Sequence, residues 1–466
     1  MVTAFVLLTG AAAAIFCLAT ASTAPINVVV ITLDTTRADR LTAYGFQGAE
    51  MPHLDRLARD GVVFDQATSV APLTLPAHAS LFTGLLPPSH GLRENATPSL
   101  SFDRTTLAET LRAHEFRTAA FVGSGVLDPD RGLSRGFDRY GAASESHGRE
   151  ARAAQRNAQV VVDEALHWLR GVGDSRFFLW VHLYDPHRPY QPPEPFASRY
   201  AHNPYVGEIA YADFQVGRLL EALDRQGVLD ETIVIVAGDH GESLGEHGEC
   251  DHGIFVYESV LRVPLIIRAR SIEPRRVASV VRLIDVMPTV LELLDLPAPT
   301  TDGVSLTGLM NGERQELEAY AESIYPRRFG WSPVRSLRDG RFKLIDAPRP
   351  ELYDLEHDPF ERRNVYSERP ATAAALGRRL ASLAGGQSWP AVRTVRDEVA
   401  PREVRERLAA LGYLSRGPIE AQPGRASLPD AKDVIGEDPS PPRPDQCPSQ
   451  LSRRLPNTDC CSVPPR

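Results

Sequence analysis

Apolar residues fall along this chain in two kinds of run that alternate. Continuous β-branched stretches such as NVVVITL (Asn27–Leu33) suit strands buried on both faces of a parallel sheet. Further strands are predicted at Arg117–Val122, Phe177–Leu183 (FFLWVHL) and over 232–237 (TIVIVA), with another apolar run at 263–267. Between them come segments with helical spacing, at 52–60, 105–113, 149–170, 207–225 and 284–294. In the 207–225 segment Ile209, Phe214, Val216, Leu219, Leu220 and Leu223 make the apolar side. This βαβα order predicts an α/β fold with a doubly wound, mostly parallel sheet and helices on both faces. Ligands of such sheets bind beyond the carboxyl ends of the strands, and chemically loaded residues fall there. Asp34 follows the first strand, Asp185 and His187 follow FFLWVHL, and Asp239 and His240 follow TIVIVA.

Past residue 310 the pattern changes to short alternating segments (VRSLRDGRFKLI, ELYDLEHDPFERRNV) followed by helices. The expected organisation is a catalytic core over 25–310 and a smaller C-terminal antiparallel subdomain over 311–415. The tail from 416 to 466 is rich in Pro, Ser, Gly and charge, has no hydrophobic period, and is expected to be disordered. At the other end, residues 1–24 form an apolar run closing on small residues before Pro25. They are read as a secretory signal cut after Ala21 or Ala24, which gives a periplasmic or extracellular protein. The run lacks a basic start, so an uncleaved N-terminal anchor is the alternative, and membrane association depends on it.

Composition adds exclusions more than assignments. The chain has 466 residues, 42% hydrophobic and 24% charged, with a formal net charge of -9. That balance leaves no footprint for nucleic acid, so an anionic substrate must be drawn in by a local cationic centre. Of five cysteines, Cys17 lies in the signal and Cys447, Cys460 and Cys461 in the tail. Cys250 alone falls in the globular part, so no disulfide framework is expected and Cys250 reads as a bystander.

Four segments concentrate the chemistry: LDTTRAD (33–39), TLPAH (74–78), HLYDPHRPY (182–190) and GDHGESLGEHGECDHG (238–253). Thr74 opens a turn of small residues, TLPAHASLFTG, with Pro76 two places on and His78 four places on. A side chain there sits at the mouth of a helix N-terminus, where unpaired N–H groups and the helix dipole favour an anion. His78 is placed to orient or deprotonate Thr74, or to hydrogen-bond loop backbone. Arg37 is either an anion contact or a structural ion pair. His182 reads as a buried, satisfied histidine, and His247 is left out of the site.

At these residues the chain resembles the sulfatase family, within the alkaline phosphatase superfamily. The motifs that carry the likeness are NVVVITLDTTRADRL, TLPAHASLFTG, VHLYDPHRPY, GDHGESLGEHG and the late LYDLEHDPFERRNV, so it spans Asn27 to about Leu414. The resemblance implies that Asp34, Asp239 and His240 hold a divalent metal together with the Thr74 oxygen. Many members carry an Asp and an Asn where this chain has Thr35 and His240, giving an oxygen-only calcium site. The mixed nitrogen and oxygen set here favours zinc or manganese over magnesium or calcium. The resemblance also places His187 and His252 against the transferred group and the leaving oxygen, where they bind the anion or act as general acid. A second metal held by His187, His252 and Asp185 is the runner-up.

Threonine at position 74 changes the expected chemistry. Members of the usual kind have Cys or Ser there, oxidised to formylglycine, within a Cys-x-Pro-Ser-Arg pattern. Threonine gives no aldehyde because its β-carbon already bears a methyl group, and Ala77-His78 replaces the Ser-Arg pair. A metal-activated threonine alkoxide is still a nucleophile. Its ester must then be cleaved by water at the central atom, a route known for phosphorus in threonine-bearing superfamily members. The expected activity is therefore metal-dependent hydrolysis of an anionic sulfate or phosphate ester through Thr74. Alternatives are a phosphodiesterase, a phosphoethanolamine- or phosphoglycerol-type transferase using Thr74, and a binding protein that kept the fold without catalysis.

Overall fold

The computed structural model describes residues 27–95, 100, 103–142, 155–384 and 428–435. The main sheet contains, in chain order, β1 (Asn27–Leu33), β2 (Val62–Thr68), β3 (Arg117–Val122), β4 (Arg139–Gly141), β5 (Phe177–Leu183), β6 (Thr232–Gly238), β7 (Arg262–Val263), β8 (Leu265–Arg268) and β9 (Arg275–Arg282). They lie in the spatial order β4-β3-β5-β1-β6-β8-β2-β7, with β9 also paired to β2. From β4 to β6 every pairing is parallel, β8 runs antiparallel to both β6 and β2, and β9 is parallel to β2.

The central strands are buried along their whole length because both faces are covered. Val28 and Val30 point into one core, Val29, Ile31 and Leu33 into the other, as the period of two requires. The helices Pro52–Arg59, Ala158–Leu169 and Pro204–Arg225 cover the second face. The wholly buried helix Thr74–Thr83 packs into the first.

Several boundaries differ from the sequence reading for local reasons. The 149–170 segment is helical only from Ala158, where the Asn157 side chain accepts from Val160 N–H at 3.0 Å and starts the helix. Residues 149–154 of that expectation lie outside the described residues. Pro264 has no N–H to give, and the 263–267 run is split around it into β7 and β8. Phe214 is 47% exposed beside Phe196, away from the apolar side it was counted on. Strands β2 and β9 had no counterpart in the reading, since charged residues interrupt their alternation.

The smaller sheet is an antiparallel meander, β10 (Ala319–Ser323), β11 (Val334–Arg338), β12 (Phe342–Asp346) and β13 (Glu351–Asp354). Helix Pro370–Leu383 covers it through Ala373, Leu376 and Leu380. A buried ionic group joins it to the core: Lys343 Nζ lies 3.0 Å from Glu258 and 2.9 Å from Glu361, and Arg338 also binds Glu258.

The tail corrects one expectation. Residues 428–435 are ordered against the body of the protein, with a helical turn at Ala431–Val434 capped by Asp430 and with Ala431 fully buried. Apolar residues at 431 and 435 and a capping aspartate supply what disorder would lack. Residues 1–24 and the rest of the tail lie outside the described residues. Among the described residues no helix is long and apolar enough to cross a membrane.

Candidate active site

Three strand ends and one helix start meet at the carboxyl edge of the sheet. Register places Leu33 of β1 beside Leu183 of β5 and Gly238 of β6, so the residues just beyond them converge. Gly238 is required there, since a Cβ would lie 2.7 Å from the Thr36 carbonyl oxygen. Thr35 adopts φ 48°, a strained value for a β-branched residue. Its N–H donates to Asp239 Oδ1 at 3.1 Å, and its carbonyl accepts the Tyr205 hydroxyl at 2.7 Å. These bonds hold Asp34 against Asp239.

Thr74 is the first residue of its helix, following Leu73 in an extended conformation. Asn95 Oδ1 accepts Leu75 N–H at 2.9 Å, and Pro76 has no donor to satisfy. At the far end Gly84 takes φ 66°. Thr74 Oγ1 lies 3.3 Å from His240 Nε2. His240 Nδ1 is 3.0 Å from its neighbour's carbonyl oxygen, at Gly241, which fixes the proton on Nδ1 and leaves the Nε2 lone pair toward the cluster. His240 Nε2 is also 3.6 Å from Asp239 Oδ2 and 3.8 Å from Asp34 Oδ1.

This donor set fits a divalent cation. Asp34, Asp239 and His240 offer atoms within 4.8 Å of one another, all fully buried. Both Asp34 oxygens and Asp239 Oδ2 have no hydrogen-bond partner. Unpaired buried carboxylates cost several kcal/mol each unless a cation or proton neutralises them. Burial accordingly pushes the Asp34 carboxyl up to about 7, and burial together with Asp34 pushes Asp239 well above the carboxylate range. Burial also lowers His240 and keeps it neutral, the form that ligates.

His78 is occupied elsewhere. Its Nδ1 lies 2.8 Å from the Thr74 carbonyl oxygen, and its Nε2 lies 2.9 Å from Thr32 Oγ1, which also accepts Trp180 Nε1–H at 3.0 Å. Of the alternatives for His78, the geometry gives the backbone bond, because Thr74 Oγ1 faces His240 instead. Arg37 is likewise committed to the ion-pair alternative. It binds Asp39, Glu246 at 2.8 Å and the Glu242 carbonyl at 3.0 Å. Burial opposes its charge, but Asp39 and Glu246 outweigh burial.

Beside the cluster His252 and His187, both buried, stand together with ring centres 5.0 Å apart, and His252 lies 4.5 Å from His240. His252 Nδ1 faces Glu242 Oε1 at 3.0 Å and Asp251 Oδ1 at 2.8 Å, two acceptors that hold its proton on that nitrogen. Burial opposes the Asp251 charge, yet His252 holds that carboxyl down at about 2. His187 Nδ1 lies 2.7 Å from the Tyr184 hydroxyl and 2.6 Å from the Arg188 carbonyl oxygen, and burial lowers the ring to about 3. Among the described residues no cluster of three metal-capable groups includes Asp185 or His187. The metal-capable group that contains His252 is completed by Glu242 and Asp251.

Three of these residues were missed or set aside. His182 belongs to the site's floor, since its Nε2 lies 3.3 Å from Asp34 Oδ2 without a hydrogen-bond partner. Its register beside Thr32 was the available signal. Glu242 was passed over inside a loop crowded with acidic residues, and Asp251, a candidate ligand of the 238–253 segment, was given no role. Cys250 is also corrected: it is 3% exposed and disulfide-bonded, not a lone thiol.

Comparison with known proteins agrees with this geometry. A family model described as Sulfatase matches residues 26–296, and one described as N-sulphoglucosamine sulphohydrolase, C-terminal, matches residues 245–384. An uncharacterized sulfatase of Escherichia coli K12 is 24% identical over 416 residues, covering 73% of this chain and 83% of its own. Choline-sulfatase of Rhizobium meliloti is 38% identical over 176 residues, which is 36% of this chain and 33% of that protein. The fold is shared with phosphonate monoester hydrolase of Agrobacterium radiobacter (TM-score 0.67, 24% identity, 77% of this chain and 95% of that one). The chain belongs to the sulfatase family, ester hydrolases of the alkaline phosphatase superfamily.

Proposed function

We propose that the chain is a metal-dependent hydrolase of anionic esters in which the unmodified Thr74 hydroxyl is the nucleophile. The observation that carries this reading is the 3.3 Å approach of Thr74 Oγ1 to His240 Nε2, beside the unpaired carboxylates of Asp34 and Asp239. Those four residues would hold the metal, which when bound supplies Lewis acidity that lowers the hydroxyl pKa and offsets charge on the ester. Two carboxylates, one imidazole and one hydroxyl suit zinc or manganese better than calcium.

The chain's own residues account for the remaining roles. Thr74 Oγ1 attacks the central atom of the ester in line with the leaving oxygen. His252 is placed to act as an imidazolium: its Nδ1–H is held by Glu242 and Asp251, its Nε2–H goes to the leaving oxygen, and Nε2 takes a proton back from the water that attacks in the second step. Water then attacks the same central atom, the threonine ester breaks, and the hydroxyl is restored. Water must cleave this ester by displacement, because threonine has no carbonyl-forming route to expel the group. Such displacement is well suited to phosphorus, so a phosphate or phosphonate ester is the favoured substrate, and a sulfate ester the second. The shared fold of the phosphonate monoester hydrolase is compatible with the first. Choline-sulfatase and an N-acetylglucosamine-6-O-sulfatase of Bacteroides thetaiotaomicron (22% identical over 467 residues) speak for the second.

The test is intact-protein mass spectrometry after brief incubation with aryl sulfate, aryl phosphate, aryl phosphonate and bis-aryl phosphodiester. A phosphorylated or phosphonylated Thr74 with turnover is expected. Turnover of aryl sulfate alone would move the substrate to sulfur, and full turnover by Thr74→Ala would remove the nucleophile assignment.

A further inference from the structure

Two buried histidines form the floor of the site, and their neighbours decide which ring nitrogen of each carries the proton. The Thr74 carbonyl oxygen, 2.8 Å from His78 Nδ1, can only accept, so the proton of His78 is on Nδ1. Its Nε2 then accepts from Thr32 Oγ1 at 2.9 Å, and Thr32 Oγ1 accepts Trp180 Nε1–H at 3.0 Å. Both nitrogens of His78 are occupied. His182 stands beside it, ring centres 5.0 Å apart.

Gly123 N–H donates to His182 Nδ1 at 3.3 Å, besides its bond of 3.1 Å to the His182 carbonyl oxygen. A proton on Nδ1 would point at that N–H, so His182 carries its proton on Nε2. Nε2 lies 3.3 Å from Asp34 Oδ2, and neither buried atom has a hydrogen-bond partner as the groups stand. The terminal torsion of an aspartate is soft, so a turn of the Asp34 carboxyl aligns the two. Asp34 Oδ1 is the oxygen that faces His240 Nε2, at 3.8 Å. His78, His182 and Asp239 also offer atoms close enough to hold a metal, but neither ring turns a lone pair to that point.

We propose that His182 is a positioning residue for the metal: its Nε2–H holds Asp34 Oδ2 and leaves Oδ1 alone to ligate. This rests on the reading that Asp34, Thr74, Asp239 and His240 hold a divalent ion. Hydrogen bonds of this kind fix the orientation of a ligating carboxylate. One oxygen from Asp34 keeps the ligand count low, which suits four-coordinate zinc, whereas calcium takes more oxygens and accepts bidentate carboxylates. Without His182, Asp34 Oδ2 is free to turn toward the ion. Zinc then loses a fixed ligand, and calcium gains an oxygen.

Zinc and calcium affinities of the full chain are measured by competition with a chromophoric chelator, for the native sequence, His182→Leu and His182→Gln. Circular dichroism follows folding. Folded His182→Leu is expected to bind zinc about 10- to 100-fold more weakly, with calcium affinity unchanged or raised. His182→Gln, whose amide N–H stands in for Nε2–H, is expected to restore zinc binding. Nitrogen-15 spectra of the histidine-labelled, zinc-loaded native chain should show the His182 proton on Nε2, a readout that needs no folded His182→Leu. Equal zinc affinity in folded His182→Leu, a parallel loss of both ions, or a proton on Nδ1 overturns the proposal and leaves the metal reading standing. A native chain that binds neither ion overturns both.

Discussion

Thr74 and His240 are brought to 3.3 Å by two unrelated local devices. One is a helix that begins at the threonine, and the other is a histidine whose Nδ1 is tied to the next carbonyl. The hydroxyl therefore meets an imidazole lone pair at the point where two buried carboxylates have no partner. If Thr74 is the nucleophile proposed above, alanine should abolish its role and serine should replace it in part.

Thr74→Ala is expected to lower kcat/KM for the preferred ester by at least about 10³-fold, the scale for losing a reacting group. Thr74→Ser keeps the oxygen and is expected to retain measurable turnover. Steady-state kinetics on both variants, with circular dichroism to confirm folding, decide the matter. Equal activity in Thr74→Ala and the native chain would remove Thr74 from the reaction.

Metal removal should act on stability and activity together. A ligand present at about 1,000 times its dissociation constant stabilises the fold by about 4 kcal/mol. Dialysis against a chelator is expected to lower the melting temperature and abolish turnover, with zinc or manganese restoring both better than calcium. Asp34→Asn and Asp239→Asn should prevent restoration, as elemental analysis of the dialysed proteins would record. Because bound metal displaces protons from Asp34, raised to about 7, affinity should fall as pH drops below that value.

The parallel core was legible in the sequence because continuous apolar runs ended just before Asp34, Asp185 and Asp239, whereas His182, at the end of one such run, was read as a core histidine. Register then turned adjacency along the chain into adjacency in space. The role of His78 was not legible, since its spacing from Thr74 allows both a side-chain and a carbonyl contact, and Thr32 and Trp180 decide between them. Nor was the tail, where a short docked segment has too few apolar residues to give any period. Arg37 was balanced between two roles until the folded loop supplied Asp39 and Glu246 as partners.

Arg37→Gln separates those roles. Losing charge-assisted bonds to Asp39, Glu246 and the Glu242 carbonyl should destabilise the fold by on the order of 2 kcal/mol. An effect on KM without a fall in the urea midpoint would instead make Arg37 an anion contact.

His252 as proton donor predicts a dependence on the leaving group. His252→Gln is expected to lower kcat by about 10²- to 10⁴-fold for alkyl esters, whose leaving oxygens are strongly basic. For nitrophenyl esters, which leave without a proton, the loss should be much smaller. Glu242→Gln, which weakens the hold on Nδ1, should show the same trend with smaller size. A uniform loss across leaving groups would assign His252 to anion binding.

Away from the residues proposed to hold the metal, a buried histidine contributes to the acid sensitivity of the fold. His90 lies between Ser80 Oγ, 2.9 Å from its Nε2, and Leu92 N–H, which donates to its Nδ1 at 3.1 Å. Burial, then Arg104 and Arg93, lower its pKa from 6.5 to about 3. The unfolded chain therefore binds a proton that the folded chain refuses between those values. The contribution of the neutral ring is complete above about pH 6.5 and is lost progressively as pH falls toward 3. Urea midpoints measured from pH 7.5 to 5 should fall for the native chain and fall less steeply for His90→Gln, which cannot take up the proton. Parallel slopes for the two proteins would show that His90 is not the group being titrated.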